Sequence, residues 1–189
     1  MFFKNDSSNS SSDFKFRIAQ FAKVSLSRFI TDWLNTFYLE GRPEEIERIK
    51  EIYNKIELPI RKTTMSAGYD FSCPETFNIK EGESVNIPTG IRCYMDYGWV
   101  LCEFPRSGMG FKYGIHMANT VGIIDGDYVN SDNEGHIFIK VVNDSSLAKD
   151  ITIEQGDGFC QGIFLPYGIT VDDNVTEIRN GGFGSTDKK

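Results

Sequence analysis

The sequence predicts a mainly β protein with an N-terminal α-helical extension. Short β-rich runs recur between turn residues from residue 60 onward, and two amphipathic patterns of helical period precede them. The composition agrees, because 18 glycines and 15 phenylalanines accompany only 6 prolines among 189 residues. Many short strands with regular glycine turns are typical of a sandwich or barrel and not of alternating βαβ units.

The N-terminal part contains a polar leader and then a helical segment. Residues 1–13 are rich in Ser, Asn and Asp, which predicts a disordered leader. Residues 14–57 form the predicted helical extension of two amphipathic helices. In the first helix, apolar residues lie three and one apart from Leu26 onward, with Ser25 as the N-cap and Gly41 as the stop.

The second predicted helix opens at Pro43, and the acids Glu44 and Glu45 suit the positive end of its dipole. Each helix has one apolar face that must be buried. The ordinary interpretation is a helical hairpin docked on the domain or on a neighbouring subunit. The alternative is an arm that binds a protein partner.

The β domain is predicted over residues 58–178. Its candidate strands are separated by glycines. In chain order they are Ser84–Ile87, Ile91–Tyr94, Trp99–Phe104, His136–Val142, Ile151–Ile153 and Phe159–Leu165. Residues 179–189 are glycine-rich and have no periodicity, which predicts a mobile C-terminal tail.

The charge and cysteine patterns exclude several functions. The net charge is −7, and residues 1–60 hold nine basic and nine acidic side chains, so the whole excess lies in residues 61–189. An acidic domain does not favour binding to nucleic acid. The four cysteines form no CxxC pair and only two histidines exist, so no Cys/His zinc site is predicted. Without a signal-peptide pattern or an apolar run of about 18 residues, we expect a soluble, cytoplasmic protein with no membrane partner.

Five short segments carry candidate chemistry, and two of them come early in the β domain. In Ala67–Phe71 a turn leads into a strand, where Asp70 is either a turn cap or a functional acid. A glycine-rich turn after the third candidate strand holds Arg106, Ser107 and Gly108. A guanidinium, a hydroxyl and free backbone amides suit phosphate oxygens, although an exposed surface turn has the same pattern.

The third segment, Asn119–Tyr128, is an apolar run that ends in Asp-Gly-Asp-Tyr. Asp-Gly alone indicates a type I′ turn. Two carboxylates and an aromatic ring beyond a Val/Ile face also suit catalysis, because a carboxylate such as Asp125 can be desolvated there and act as a general base on water.

The last two segments lie near the C-terminus. Gln161 precedes an apolar run, and alone it indicates only a polar group at a strand start. In the segment from Arg179 to Thr186, three glycines flank Phe183. A disordered tail is one interpretation. The other is a lid whose ring stacks on a base while amides and hydroxyls reach phosphates.

In this order and spacing, the five segments resemble the trimeric dUTP diphosphatase (dUTPase) family from about residue 58 to the C-terminus. The resemblance implies a β jelly-roll, or β-clip, subunit that forms a homotrimer with shared active sites. It implies hydrolysis of dUTP to dUMP and pyrophosphate with Mg²⁺ on the phosphates. This reaction keeps uracil out of DNA and supplies dUMP for dTMP synthesis.

The resemblance also implies a role for each matching residue. Asp125 matches the general base, Tyr128 matches the ring that excludes a ribose 2′-hydroxyl, and Asp70 matches an acid that reaches Mg²⁺ through water. Uracil would be read by a hairpin and covered by the tail, at Asn119, Gly122, Ile123, Ile124 and Phe183. Phosphates would be bound by Arg106, Ser107, Gly108, Gln161, Arg179, Gly184, Ser185 and Thr186.

The sequence departs from the family pattern at several points. Extra residues between Tyr128 and Gly135 predict a longer hairpin beside the site. Arg179 stands closer to the glycine pair of the tail than in the family. Gly158 occupies a position where the family has Arg, and Asp187 replaces a final glycine.

Two alternative functions remain open at this point. A regulatory protein could use the dUTPase scaffold to bind a protein partner through residues 14–57 or 129–135. The dCTP deaminase family shares the jelly-roll trimer and the Arg-Ser turn, but the Asp-Gly-Asp-Tyr sequence and the Gly-Phe-Gly-Ser-Thr tail favour diphosphatase chemistry.

Overall fold

The structure is a computed structural model that describes residues 17–144, 149–177 and 179. The predicted leader and the tail from residue 180 lie outside the described residues. The helices are α1 (Leu26–Phe37), α2 (Pro43–Lys55) and α3 (Ser107–Tyr113). The strands β1 to β11 are, in chain order, Ala19–Lys23, Tyr69–Ser72, Phe77–Ile79, Ser84–Pro88, Ile91–Met95, Trp99–Pro105, Ile115–Met117, Gly122–Ile124, Phe138–Asn143, Ile151–Ile153 and Gly158–Pro166.

The strands form small antiparallel sheets around a shared core. The largest sheet among the described residues has the order β2-β11-β6-β8, and a three-stranded sheet has the order β4-β9-β7. Strand β1 pairs with β5, and β10 pairs with β3. The predicted strands are present with ends shifted by at most two residues. The mainly β fold is therefore confirmed. No described helix has the length and apolar character that a membrane span needs.

The predicted helical extension begins with a strand, so the helical prediction is wrong for residues 19–23. These residues form β1, in which Phe21 lies opposite Cys93 of β5. The Phe21 ring packs against Phe71 and Phe164 at centroid distances of 5.6 and 5.7 Å. The strand is thus fixed by contacts with the β domain and not by a local pattern.

The two helices lie where the apolar periodicity predicts them. Ser25 caps α1 by accepting a hydrogen bond from Arg28 N at 3.1 Å, and Pro43 opens α2. The C-cap of α1 is Tyr38, in the left-handed conformation (φ 54°), ahead of the predicted stop at Gly41.

Helix α1 contributes to the main core of the β domain. Phe29 and Trp33 are buried in the same cluster as Ile87 and Ile139 of the strands. The Trp33 ring lies 6.2 Å from the ring of Phe77 on β3. The apolar face of α1 is therefore covered by the domain, as the docked-hairpin interpretation requires.

Candidate active site

The predicted site residues that the structure describes fall mainly into two groups. We call Asp70, Arg106, Ser107 and Gln161 the phosphate-side group. The acid-side group is Asp125, Tyr128 and Arg179, together with Asp127, which is not a predicted site residue but contacts Arg179. Strand β6 links their locations, because its end leads into Arg106 and its middle pairs with β8, which precedes Asp125.

The phosphate-side group is assembled by the order of the strands. Strand β11 lies between β2 and β6, so Gln161 is opposite Asp70 on one side and Phe104 on the other. The Gln161 Nε2 group donates a hydrogen bond to Pro105 O at 3.4 Å. Three segments that are distant in sequence therefore meet at one end of the sheet.

The Arg106 guanidinium contacts the Asp70 carboxylate and the backbone carbonyl of Gly158. Its Nη2 atom lies 3.5 Å from Asp70 Oδ2, and its Nη1 donates to Gly158 O at 3.2 Å. A Cβ atom on Gly158 would lie 2.5 Å from Arg106 Nη1. The glycine at the position where the family pattern has Arg thus makes room for the Arg106 guanidinium.

The segment after Arg106 is a helix, so its prediction as a turn is wrong. Arg106 is the N-cap of α3, and Ser107 and Gly108 form its first turn. The sequence carries no helical signal here, because the apolar residues Met109, Phe111 and Tyr113 alternate and the segment contains two glycines. The first turn of a helix leaves N–H groups free, as the phosphate interpretation needs. A cavity of about 300 Å³ adjoins this turn and is lined by Pro105, Arg106, Ser107, Gly110 and Phe111.

Asp70 is the acid of the phosphate-side group. Its Oδ2 atom is buried and has no hydrogen-bond partner, although Arg106 lies nearby. No cluster of three or more His, Cys, Asp or Glu converges to bind a metal within the described ranges. A lone carboxylate suits Mg²⁺, which keeps several waters and binds substrate phosphates in place of an all-protein cage.

In the acid-side group, the Arg179 side chain contacts the other three members, which lie about 50 positions earlier in the sequence. Its Nε donates to Asp127 Oδ1 at 2.9 Å, and its Nη2 donates to Asp125 Oδ2. The guanidinium carbon lies 5.7 Å from the centroid of the Tyr128 ring. One cation therefore covers both the predicted general base and the predicted sugar-binding ring.

Tyr128 is fixed by its hydroxyl group. The hydroxyl donates to His136 O at 2.9 Å and accepts from Asn133 Nδ2 at 2.8 Å. Burial raises the pKa of Tyr128, and the hydrogen bond from Asn133 opposes this only in part. The ring is therefore neutral and anchored, with 6% of the residue exposed.

The predicted uracil-reading hairpin is not a paired hairpin. Strand β7 pairs with β9 whereas β8 pairs with β6, so the turn at residues 118–121 connects two sheets. In this turn Asn119 is exposed and Thr120 has a φ of 65°. Gly122 is buried against Glu103, while the Ile123 side chain is 58% exposed.

The insertion at residues 129–135 does not lengthen a hairpin, and this prediction is wrong. The segment contacts helix α1 instead. Glu134 accepts hydrogen bonds from Ser25 Oγ at 2.6 Å and from Ser25 N at 2.8 Å, and Arg28 Nη1 donates to Asp132 O at 3.2 Å. The cause is topological, because β8 and β9 belong to different sheets and the residues between them cross to α1. These contacts favour a structural role over partner binding for this segment.

The phosphate-side and acid-side groups of one chain are far apart. Ile124, the last residue of β8, lies opposite Leu101 on β6. The chain therefore leaves the sheet toward Asp125 beside Leu101. At about 3.3 Å per residue, about 17 Å of strand separates Leu101 from Arg106. The Arg106 side chain contacts Asp70 and Gly158, on the side of β11. This spacing along β6 disfavours contact of a single phosphate group with both groups of the same chain.

The sequence reasoning missed His136 and Asp32 as parts of this region. His136 is fully buried, and its Nδ1 lies 2.6 Å from Asp32 Oδ2. Its carbonyl accepts the Tyr128 hydroxyl. The available signal was an acid beside the apolar stripe of α1, but no local pattern connects it with a histidine 104 positions away.

Comparisons with known proteins identify the family of this chain. The family model described as dUTPase matches residues 54–187. The deoxyuridine 5′-triphosphate nucleotidohydrolase of Lactococcus lactis subsp. lactis is 42% identical in an alignment of 134 residues that covers 69% of this chain and 88% of that protein. The protein of the same name from Haemophilus influenzae (strain PittEE) is 36% identical over 146 residues, 73% of this chain and 92% of that protein.

Solved structures are similar over the same part of the chain. The crystal structure of dUTPase from Streptococcus mutans has 40% sequence identity and a TM-score of 0.56, and the match covers 62% of this chain and 90% of that chain. The dUTPase from phage phi11 of S. aureus has 22% identity and a TM-score of 0.53 over 66% of this chain and 92% of its own, which indicates the shared fold. From its sequence and its fold, this chain belongs to the dUTPase family.

Proposed function

We propose that this protein hydrolyses dUTP to dUMP and pyrophosphate. The family membership supports the activity, and the acid-side group supports the mechanism. In that group a carboxylate, Asp125, lies next to an anchored aromatic ring, Tyr128, and a single cation covers both. A base for water and a ring for packing against a sugar would thus lie at one location.

We propose a homotrimer whose active sites are shared between chains. The supporting observation is the separation of the two groups along β6, because a site with both groups needs the acid-side group of one chain and the phosphate-side group of another. Symmetric homo-oligomers can supply such a pairing at each interface. The trimeric state itself comes from the family resemblance.

In the proposed reaction, Asp125 accepts a proton from water while the water oxygen attacks the α-phosphorus of dUTP. The bond from this phosphorus to the bridging oxygen breaks, and pyrophosphate leaves with the bond electrons. Arg179 has to give up its contacts with Asp125 and Asp127 before water and nucleotide take its place. The released guanidinium is then available to a phosphate.

Selectivity is proposed to come from the rigid surroundings of the nucleoside. The Tyr128 ring would pack under the deoxyribose and leave no room for a 2′-hydroxyl. Asn119 and the backbone of Gly122 to Ile124 would hydrogen-bond the uracil edge. Cytosine would leave buried polar groups unpaired, which is strongly unfavourable.

We propose Mg²⁺ as the cofactor, with Asp70 contacting it through water. Bound to the triphosphate, the ion would offset part of the negative charge. Arg106, Ser107, the amide of Gly108 and Gln161 would hold the phosphate oxygens. The tail residues Phe183, Gly184, Ser185 and Thr186, which lie outside the described residues, would close over uracil and phosphates. In the cytoplasm this reaction would keep uracil out of DNA and supply dUMP for dTMP synthesis.

The test is pyrophosphate release from dUTP with Mg²⁺, run beside dCTP, dTTP and UTP at equal concentrations. We expect release from dUTP alone and its loss on addition of EDTA. Formation of dUTP from dCTP, followed by its uracil absorbance, would indicate a deaminase instead. Absence of release from every nucleotide would contradict the proposed function.

A further inference from the structure

We propose that Asp32 on helix α1 is a positioning residue for Tyr128 and acts through His136. The proposal rests on the proposed function, because it concerns the ring that would exclude a ribose 2′-hydroxyl. Asp32 precedes the region matched by the family model, which begins at residue 54. A residue of the N-terminal helices would thus take part in nucleotide selectivity.

The first step is the anchoring of the His136 ring. Gly90 N donates a hydrogen bond to His136 Nε2 at 2.8 Å, so this nitrogen carries no proton. The proton of the neutral ring is therefore on Nδ1, which donates to Asp32 Oδ2 at 2.6 Å. Burial lowers the pKa of His136 despite the contact with Asp32, which favours the neutral form.

The second step joins this ring to Tyr128. The His136 carbonyl accepts the Tyr128 hydroxyl at 2.9 Å, and Asn133 Nδ2 is 3.4 Å from the same oxygen. His136 is fully buried, with 0% of its surface accessible to solvent. Its ring contacts the rings of Phe29 and Phe138 at centroid distances of 6.0 and 4.5 Å. A ring fixed on both nitrogens and by two aromatic neighbours fixes its own carbonyl, and so fixes the Tyr128 hydroxyl.

The third step concerns the choice of an acid at position 32. Asp32 is only 9% exposed, and a buried carboxylate is costly unless it is paired. Its described partners are His136 and Arg28, whose Nε lies 3.5 Å from Asp32 Oδ1. An apolar side chain could pack here with a lower desolvation cost, but it could not accept the hydrogen bond from His136 Nδ1–H. The acid therefore contributes orientation of the ring more than packing.

The consequence for function is a change in selectivity. Loss of the acceptor leaves the His136 Nδ1–H buried without a partner, and the ring and its carbonyl then move to satisfy it. The Tyr128 ring follows its hydroxyl. Discrimination between deoxyribose and ribose should fall, because small displacements in an active site have large effects on rate.

The test compares kcat/KM for dUTP and UTP in Asp32→Ala, Asp32→Asn and Tyr53→Phe. We expect Asp32→Ala to reduce the dUTP/UTP selectivity about tenfold, which is the loss of about one hydrogen bond. Asp32→Asn should restore most of it, because an amide oxygen still accepts from Nδ1–H. Tyr53→Phe removes a hydrogen bond to Val24 O from the same helical segment and should leave the selectivity unchanged.

Equal loss of activity toward both nucleotides in Asp32→Ala would overturn the proposal, since it would indicate a structural role alone. Failure of Asn to rescue would do the same. If Asp32→Ala does not fold, Asp32→Leu fills the space without an acceptor and gives the same comparison.

A second readout separates this proposal from the proposed function. In protein with ¹³C-labelled tyrosine, the Tyr128 ring signal, assigned with Tyr128→Phe, should shift in Asp32→Ala and return in Asp32→Asn. An unchanged signal would overturn the proposal even if dUTP is hydrolysed. A wild-type protein without dUTP hydrolysis would overturn the proposed function, and the signal would still decide whether Asp32 positions Tyr128.

Discussion

Arg179 donates a hydrogen bond from Nη2 to Asp125 Oδ2, while its Nε donates to Asp127 at 2.9 Å. The guanidinium thus joins two acids that are separated by one glycine and approaches the Tyr128 ring. The Arg179 side chain is 20% exposed, whereas those of the two acids are about half exposed. Water and nucleotide can therefore reach the acids once the arginine moves.

Asp125→Asn should fold and bind dUTP but lose about 10²- to 10⁴-fold in kcat, because the amide cannot accept the proton from water. The matched control is Asp127→Asn, which removes the other Arg179 partner and leaves the proposed base intact. Single-turnover hydrolysis and equilibrium binding of dUTP measure the two effects separately. Near-normal kcat in Asp125→Asn would assign the base to another residue.

Mixed oligomers should recover activity that each parent variant lacks. Asp125→Asn disables the acid-side group and Arg106→Ala disables the phosphate-side group. If sites are shared, co-expression of the two chains should restore about a quarter of the sites, because random mixing pairs two intact groups at that frequency. The measurement is the activity of purified mixed trimers, with Asp125→Asn mixed with itself as the control.

No recovery in mixed trimers would mean that one chain supplies both groups. That result would conflict with the separation of about 17 Å along β6. Mass determination by light scattering, done on the same samples, shows whether the chains are trimeric at all.

Gly158→Ala should weaken dUTP binding without unfolding the protein. The added methyl group would lie 2.5 Å from Arg106 Nη1 and would displace the guanidinium. We expect KM for dUTP to rise at least about fivefold, as for loss of one charge-assisted hydrogen bond. Gly168→Ala is the control, because a Cβ atom there meets nothing within 4 Å. An unchanged KM in Gly158→Ala would mean that Arg106 does not hold substrate in this position.

The elements that the sequence predicts are those with local signals. Strands flanked by glycines and helices with apolar stripes were located closely. Strand β1 was missed because Ala19–Lys23 contains one large apolar residue, Phe21, and its extended form depends on pairing with β5. Helix α3 was missed because its apolar residues Met109, Phe111 and Tyr113 alternate, which is not a helical period.

The same difference between local signals and tertiary contacts applies to the candidate site. Asp125, Tyr128 and Arg106 belong to contiguous motifs and are recognisable without a structure. The coupling of Asp32 to His136 spans 104 positions and depends on how α1 docks, which no periodicity reports. The pairing of Arg179 with Asp125 is also a tertiary contact, and the sequence shows only that both residues are present.

A buried acid next to the turn at residues 118–121 should make the stability fall as the pH rises. Glu103 is 1% exposed, its Oε2 accepts from Cys160 Sγ at 3.1 Å, and its Oε1 has no hydrogen-bond partner. Burial raises the pKa of Glu103 from 4.5 to about 8. The folded chain therefore keeps the proton up to about pH 8, whereas the unfolded chain loses it near pH 4.5.

The folded state binds this proton more tightly, so the Glu103 contribution to the free energy of unfolding is complete below pH 4.5 and is lost as the pH rises to about 8. Each pH unit in this window lowers the free energy of unfolding by up to about 1.4 kcal/mol. Glu103→Gln keeps the shape and an acceptor for Cys160 but cannot ionise, so its stability should change less over this window. Urea unfolding at pH 5, 7 and 9, at one protein concentration, measures the difference. Parallel pH profiles for the two proteins would mean that Glu103 is not protonated in the folded state at neutral pH.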